Sequence, residues 1–183
     1  MELFDLLDER GAKTGYKKER EAVHRDGDRH GTVHIWLTRR NQDTGRHELL
    51  LQKRSSEKDA FPGCYDISSA GHIQAGDEPL PSALRELEEE LGIVASPEEL
   101  RLVFVYEDYI NTFFHGKPFV NLEWSYVYLL ELDVNPAELK LQEEEVSAVK
   151  WMACTELERE IKTGNPDYCV SEEEFFRLME YLK

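Results

Sequence analysis

Several features that mark secreted, membrane-spanning or zinc-stabilised proteins are scarce in this sequence. Its three cysteines, Cys64, Cys154 and Cys169, lie far apart and include no CxxC pair, so neither a disulfide framework nor a structural zinc site is indicated. No apolar run approaches the roughly 18 residues that a membrane helix needs. The first residues, MELFDLLDERG, carry acidic side chains where a secretory signal carries basic ones. We therefore expect a cytoplasmic protein that makes no contact with membranes.

Positive charge is also scarce. Lysine and arginine together number 22 against 38 aspartates and glutamates, for a net charge of −16. Such a chain repels nucleic-acid polymers, because their binding depends on lysine and arginine side chains that neutralise phosphates. A small phosphorylated molecule remains a suitable partner if a divalent cation supplies the positive charge. The length of 183 residues suits one domain with a substantial core, so we expect a single domain over residues 1–183.

The pattern of apolar residues predicts many strands with helices between them and at the end. Two short strands around a turn are predicted in residues 1–17, followed by a polar loop or short helix. Strands are predicted at 32–40, 48–54, 64–70, 100–110, 118–132 and 146–153, a turn at 111–117, and helices at about 77–91, 155–164 and 170–183. Thr155 is a candidate cap of the second helix, and Ser171 with Glu174 fits a capping box at the third. These elements favour an α/β fold with a mixed sheet covered on both faces.

The helix within GHIQAGDEPLPSALRELEEELGI, residues 71–93, has the clearest pattern. Asp77 or Glu78 precedes it and Gly92 is a natural stop. Its apolar residues step by four, three and four, which puts them on one stripe facing the sheet; they are Leu80, Leu84, Leu87 and Leu91.

The same helix carries four glutamates within five residues. Glu86, Glu89 and Glu90 have the spacing i, i+3 and i+4, which brings the side chains together and makes them repel. Arg85 is four residues before Glu89 and can pair with it. A glutamate-rich helix facing water is the simple alternative, and Glu88 has only that interpretation. Because Mg²⁺ prefers oxygen ligands in octahedral geometry, a bound cation would turn the repulsion into attraction.

The whole stretch resembles the Nudix box, Gly-x5-Glu-x7-Arg-Glu-U-x-Glu-Glu-x-Gly-U, in which U is a bulky aliphatic residue. Asp77 stands where the motif has its first glutamate, which keeps the charge but shortens the reach by one methylene. The other eight of the nine specified positions match: Gly71, Arg85, Glu86, Leu87, Glu89, Glu90, Gly92 and Ile93.

This resemblance implies an α/β/α sandwich around a mixed β-sheet and hydrolysis of a diphosphate linkage in a small, nucleotide-like substrate. It implies that Glu86, Glu89 and Glu90 hold Mg²⁺ or Mn²⁺, that the carbonyl of Ala70 joins them, and that Arg85 orients a glutamate. Glu86 is then the general base, although in some members the base lies in a later loop, here residues 143–145. Homodimers are common among such proteins, so a homodimer is a candidate assembly, although the sequence does not determine the oligomeric state.

Outside the box, HRDGDRHGTVHIW and LLLQKRSSEKDAFPGCYDISSAGH resemble isopentenyl-diphosphate isomerase, an enzyme of the same fold. Glu123 resembles its catalytic glutamate, but Ala70 stands at its catalytic cysteine and Asn121 at a metal-binding carboxylate. Its metal-binding histidines are matched by His24, His30 and His72. Since alanine transfers no proton, we favour hydrolysis over isomerisation.

The remaining candidates are residues that could contact the substrate. Lys53 and Arg54 end a strand before the box and are either charge-assisted donors to phosphate or surface cations. Gly71, Glu123 and the three histidines complete the set of candidate binding residues. Single histidines are more often surface or hydrogen-bonded groups than ligands, and His34 carries no recognisable signal. The substrate itself is not identified by the sequence.

Overall fold

The computed structural model describes residues 2–58, 60–114 and 117–183, without the side chains of residues 114, 117 and 118. Within these residues, strands and helices follow one another along the chain. The strands are β1 (Leu3–Leu7), β2 (Lys13–Glu19), β3 (Arg29–Arg40), β4 (His47–Arg54), β5 (Tyr65–Asp66), β6 (Ser69–His72), β7 (Arg101–Phe114), β8 (Lys117–Glu131) and β9 (Val146–Ala153). The α-helices are α1 (Arg20–Asp26), α2 (Pro79–Leu91), α3 (Cys154–Lys162) and α4 (Glu172–Met179), and Pro136–Glu138 forms a short 3₁₀ helix.

The central sheet is mixed, as predicted. Strands run in the order β5-β4-β3-β8-β7, with β6 also paired to β3 and β9 to β4. The β3–β8 pair is parallel and the other pairs are antiparallel. Strands β1 and β2 form a separate antiparallel hairpin, which confirms the two short strands predicted near the start.

Helices cover both faces of this sheet because alternate residues of each strand point to opposite sides. Trp36 of β3 packs in a cluster with Leu157 of α3 and Phe175 of α4. Its neighbour Ile35 packs on the other face with Leu87 of α2. The prediction of an α/β/α sandwich is therefore confirmed.

Helix α2 has the predicted apolar stripe and the predicted stop. Leu87 and Leu91 are fully buried, and Leu80 and Leu84 pack partly buried against the same cluster. Gly92 takes the left-handed conformation with φ of 68° and donates its N–H to the carbonyl of Glu88 at 3.0 Å. A side chain at this position would be strained, which explains why glycine ends the helix.

Residues 18–30 contain a short helix, one of the two predicted alternatives; α1 lies between the end of β2 and the start of β3 and buries Val23 completely. Two other local predictions are corrected. The stretch 64–70 is divided between β5 and β6, because the Ser68 hydroxyl donates to the carbonyl of Leu50 and accepts from the N–H of Leu37 between them. Thr155 does not cap α3, which begins at Cys154 after Ala153.

Two further differences concern the strand pair β7–β8 and the last helix. The predicted turn at 111–117 is narrower, since the strands extend to Phe114 and from Lys117; His115 and Gly116 lie outside the described residues. Ser171 caps α4 by accepting from the N–H of Glu174, as predicted. The side chain of Glu174 turns inward instead of closing a capping box, and it is 1% exposed.

Of the helices in the described residues, none has the length and apolar composition needed to cross a bilayer.

Candidate active site

Helix α2 brings Glu90 onto strand β6. The Glu90 carboxylate accepts hydrogen bonds from the Ser69 hydroxyl at 2.7 Å and the Ala70 N–H at 3.2 Å, and the Gln52 amide lies 3.4 Å away. The residue is 5% exposed. These contacts hold the Glu90 carboxylate in one orientation beside the box glycine.

Glu86 lies directly over Gly71. A Cβ atom built on Gly71 would be 2.1 Å from Cδ and 2.4 Å from Oε1 of Glu86. Gly71 is therefore needed for space rather than for an unusual backbone conformation. Glu86 approaches Gly71, and Glu90 approaches Ser69 and Ala70. The two carboxylates therefore lie against consecutive residues of one short strand, β6.

Arg85 connects the box loop to the helix. Its guanidinium donates to Asp77 at 2.9 Å, to Glu86 at 3.0 Å and to the carbonyl of His72 at 3.3 Å. Its Nε lies 3.9 Å from the carboxylate of Glu89, so the pairing predicted from the sequence is the weakest of the four contacts. Asp77, the one departure from the motif, still reaches Arg85.

The three box carboxylates do not share one solvent-facing side of α2. At about 100° per residue, Glu90 falls on the Leu87 side of Glu86, and Glu89 falls on the other side. The side chain of Glu89 is accordingly 56% exposed, whereas Glu90 is buried. Glu88 is exposed, as predicted.

Burial disfavours the charged form of the two inner carboxylates. Burial raises the pKa of Glu90 to about 7, although the hydrogen bond from Ser69 opposes the shift. Burial also raises the pKa of Glu86, against the effect of Arg85. Buried carboxylate oxygens with too little compensating positive charge suit a hard divalent cation, so the residues present fit Mg²⁺ or Mn²⁺.

A second group of side chains surrounds the hairpin residue Phe4. One ring nitrogen from each of His24, His30 and His72 lies within 4.8 Å of the others. The ring of Phe4 stacks on His30 at 5.2 Å and on His72 at 4.6 Å. The carbonyl of Asp28 lies 3.0 Å from Nδ1 of His30 and leaves Nε2 facing the cluster.

Four buried polar atoms in and beside this cluster have no hydrogen-bond partner in the described part of the chain. They are Nε2 of His24, His30 and His72 and Oδ1 of Asn121, all of them buried. Burial lowers the pKa of His24 to about 4 and lowers the pKa values of His30 and His72 as well. Neutral imidazoles with unpaired nitrogens are the form that binds metal ions, so this donor set fits a transition metal.

Glu123 lies between the histidine cluster and His34. One carboxylate oxygen is 3.7 Å from Nε2 of His72 and 3.9 Å from Nε2 of His30. The other oxygen is 3.9 Å from Nε2 of His34. The structure thus places Glu123 beside His30 and His72, two of the three histidines of the cluster.

Sequence reasoning missed His34 and the inward position of Glu174. The Glu174 carboxylate is bonded to Nδ1 of His34, Nε1 of Trp36 and the hydroxyl of Tyr106, each at 2.7 Å. Although burial opposes it, the charge of Glu174 raises the pKa of His34 to about 9. Burial likewise opposes ionisation of Glu174, but the positive charge of His34 lowers its pKa. The alternation of His30, His34 and Trp36 along β3 was the available signal for a shared face.

The two cations predicted to contact phosphate have different surroundings. Arg54 donates to Asp66 of the neighbouring strand at 3.0 Å and to the carbonyl of Ala60 at 3.1 Å, so its guanidinium is tied to the loop before the box. Lys53 has its ammonium 5.7 Å from the ring of Tyr65.

The acidic loop before β9 contacts the end of α2. The N–H of Gln142 donates to the carbonyl of Glu90 at 3.1 Å. The Glu145 carboxylate forms an ion pair with Lys58, whereas Glu143 and Glu144 are exposed. Glu145 is therefore the member of this loop with a fixed partner.

Comparison with known proteins gives matches over most of the chain. The NUDIX domain family model matches residues 28–172. Nudix hydrolase 3 of Arabidopsis thaliana is 44% identical over 170 residues, covering 91% of this chain and 21% of that protein. An uncharacterized Nudix hydrolase of Clostridium acetobutylicum is 35% identical over 158 residues, covering 86% of this chain and 73% of the other. The chain thus spans about a fifth of the Arabidopsis protein.

Solved structures share the fold at low sequence identity. DR0079 from Deinococcus radiodurans has a TM-score of 0.67 at 22% identity, over 89% of this chain and 90% of that one. The NUDIX domain of Shewanella oneidensis NrtR, solved with ADP ribose, has a TM-score of 0.57 at 18% identity, over 84% and 88%. These likenesses concern the arrangement of the backbone.

Proposed function

This chain belongs to the Nudix hydrolase family, and from that premise we propose that it hydrolyses a diphosphate linkage in a small molecule with the help of a divalent cation. The observation that carries the proposal is the approach of Glu86 and Glu90 to consecutive residues of β6. One buried and one partly buried carboxylate beside the same glycine give an anionic protein a place for a cation and, through it, for an anionic substrate.

We assign the residues of the box separate tasks. Glu86, Glu89 and Glu90, with the carbonyl of Ala70, would hold Mg²⁺ or Mn²⁺. The cation, when bound, would neutralise the diphosphate and lower the pKa of a bound water. Arg85 keeps Glu86 over Gly71 through its 3.0 Å contact, so that Glu86 can accept a proton from the attacking water.

Glu145 is the alternative base in the loop before β9. Its ion pair with Lys58 ties it to the loop that precedes the box. For Glu145 to accept a proton, that pair must open when substrate binds. We favour Glu86 because its position needs no such rearrangement.

Activity on a panel of diphosphates is the direct test. We expect Mg²⁺-dependent release of phosphate or nucleotide from at least one of ADP-ribose, nucleoside diphosphates, dinucleoside polyphosphates and prenyl diphosphates. ADP-ribose is included because the Shewanella domain was solved with it. Equal rates with and without excess chelator would contradict the proposal. Conversion of isopentenyl diphosphate to its dimethylallyl isomer would instead favour an isomerase, against the expectation from Ala70.

We further propose that the histidine cluster is a second cation site. The support is the set of buried, unpartnered Nε2 atoms of His24, His30 and His72, because an unpaired buried polar atom is costly unless a ligand satisfies it. A cation that prefers imidazole, such as Zn²⁺, suits three nitrogens better than Mg²⁺ does.

Thermal unfolding tests this second site without an activity assay. In excess Mg²⁺, a small molar excess of Zn²⁺ is expected to raise the Tm of the wild-type protein, because an ion that binds only the folded state stabilises it. The His72→Ala variant should lose that increase. His47→Ala, which removes a histidine on β4, should retain it. An equal Zn²⁺ effect on all three proteins would place the ion elsewhere.

A further inference from the structure

We propose that His34 and Glu174 position Glu123 at the histidine cluster, so that the last helix of the domain helps to complete the second cation site. This inference rests on the cation site proposed above. It assigns a task to two residues that the box motif does not contain.

The two carboxylate oxygens of Glu123 face different partners. Oε1 faces Nε2 of His30 and His72 at 3.9 and 3.7 Å, and Oε2 faces Nε2 of His34 at 3.9 Å. Within the described residues, the Glu123 carboxylate accepts no hydrogen bond. One oxygen is therefore directed toward the cluster, and the other is directed toward the imidazole of His34. This is the usual arrangement of a metal ligand that is oriented by an outer-shell side chain.

The ring of His34 is held in one orientation by a buried carboxylate. Its Nδ1 is bonded to Glu174 at 2.7 Å, so the ring can turn only by breaking a buried, charge-assisted contact. Glu174 is 1% exposed and is itself fixed by Trp36 and Tyr106. With Nδ1 occupied, Nε2 is the atom that remains to meet Glu123.

Two carboxylates on this face of the sheet share one imidazole. Glu123 and Glu174 are both carboxylates in largely buried positions, and His34 lies between them. A buried carboxylate without a nearby positive charge is unfavourable. His34 can offset the negative charge of both carboxylates. A cation at the histidine cluster would offset the charge on the other oxygen of Glu123.

A simpler interpretation is that Glu174 only satisfies polar groups in the core. A matched pair of variants separates the two roles. His34→Gln and Tyr106→Phe each remove one contact to the same oxygen, Oε2 of Glu174. Only His34 also faces Glu123, so only His34→Gln should change binding at the cluster.

The experiment is Zn²⁺ titration of each protein by calorimetry in excess Mg²⁺, with His72→Ala as the blank. We expect His34→Gln to weaken Zn²⁺ binding by about 10–100-fold, the usual effect of losing a group that orients a metal ligand. Tyr106→Phe should weaken it by less than about threefold, because it leaves His34 facing Glu123. The Tm of the apo His34→Gln variant should fall further than that of Tyr106→Phe, because only His34 lies between two buried carboxylates.

The outcomes distinguish the two proposals. Equal changes in Zn²⁺ affinity for His34→Gln and Tyr106→Phe would overturn the positioning role while leaving the cluster as a cation site. Binding that survives unchanged in His72→Ala, or no binding in wild type, would overturn the site and the positioning role together. Neither result would affect hydrolysis at the box, which is measured separately on the diphosphate panel.

Discussion

Replacing Glu86 by glutamine is expected to lower kcat at least about a hundredfold, the scale of a lost general base. Glutamine keeps the size of the side chain and an oxygen that can accept from Arg85, whose contact with Glu86 is 3.0 Å. It loses the negative charge and the ability to take a proton. The rate of product release from the best substrate of the panel, at saturating Mg²⁺, measures the effect.

Glu88→Gln is the matched control for this variant. This substitution makes the same change of charge two residues further along α2, at a side chain that is exposed to solvent. We expect its kcat to stay within about twofold of the wild-type value, since surface substitutions away from a site usually have small effects. A large loss in Glu88→Gln, or full activity in Glu86→Gln, would show that the functional side of the helix has been misidentified.

Gly71→Ala is expected to have a comparably large effect on catalysis and a small effect on stability. The new methyl group would lie 2.1 Å from Cδ of Glu86, so the two cannot occupy their present positions together. Because the atoms that clash belong to the end of a flexible side chain, Glu86 can swing away while the strand keeps its place. We expect kcat to fall by about a hundredfold or more, as if the base had been removed, with a Tm near the wild-type value.

Gly31→Ala provides the comparison for Gly71→Ala. Gly31 also lies in an extended strand, but a Cβ there would meet the end of the Ile73 side chain at 3.0 Å. Its substitution repacks an apolar contact and should leave kcat largely unchanged. If Gly71→Ala retained wild-type activity, the position of Glu86 over the glycine would be irrelevant to the reaction. If it unfolded the protein, the clash would involve more than Glu86.

Much of the box could be predicted because its signals are local. The apolar stripe of α2 and the stop at Gly92 follow from the helical period and from the conformational freedom of glycine, and both are present in the structure. The direction of Glu90 could not be predicted. Glutamate is normally taken as a surface residue, and only the Ser69 hydroxyl and the Ala70 N–H, about 20 residues earlier, explain why it is buried.

The capping residues show the same division. Ser171 was identified from its position before an amphipathic segment, and it caps α4. Glu174 fits the same local pattern but satisfies three groups on strands β3 and β7 instead. A local motif cannot predict that these groups compete with the helix cap for the Glu174 side chain, because they are 68 to 140 residues away in the chain.

The sequence by itself determined the class of fold, the helix of the box and the acidic side chains available to a cation, since these depend on residue type and on spacings within a few turns. Only the tertiary structure decided which side chains meet. Helix α1, strand β3 and strand β6 each supply one histidine to the cluster, and β8 supplies Glu123. Their meeting depends on strand register and on the packing of helices against the sheet, which bring together residues with no periodic relation in the chain.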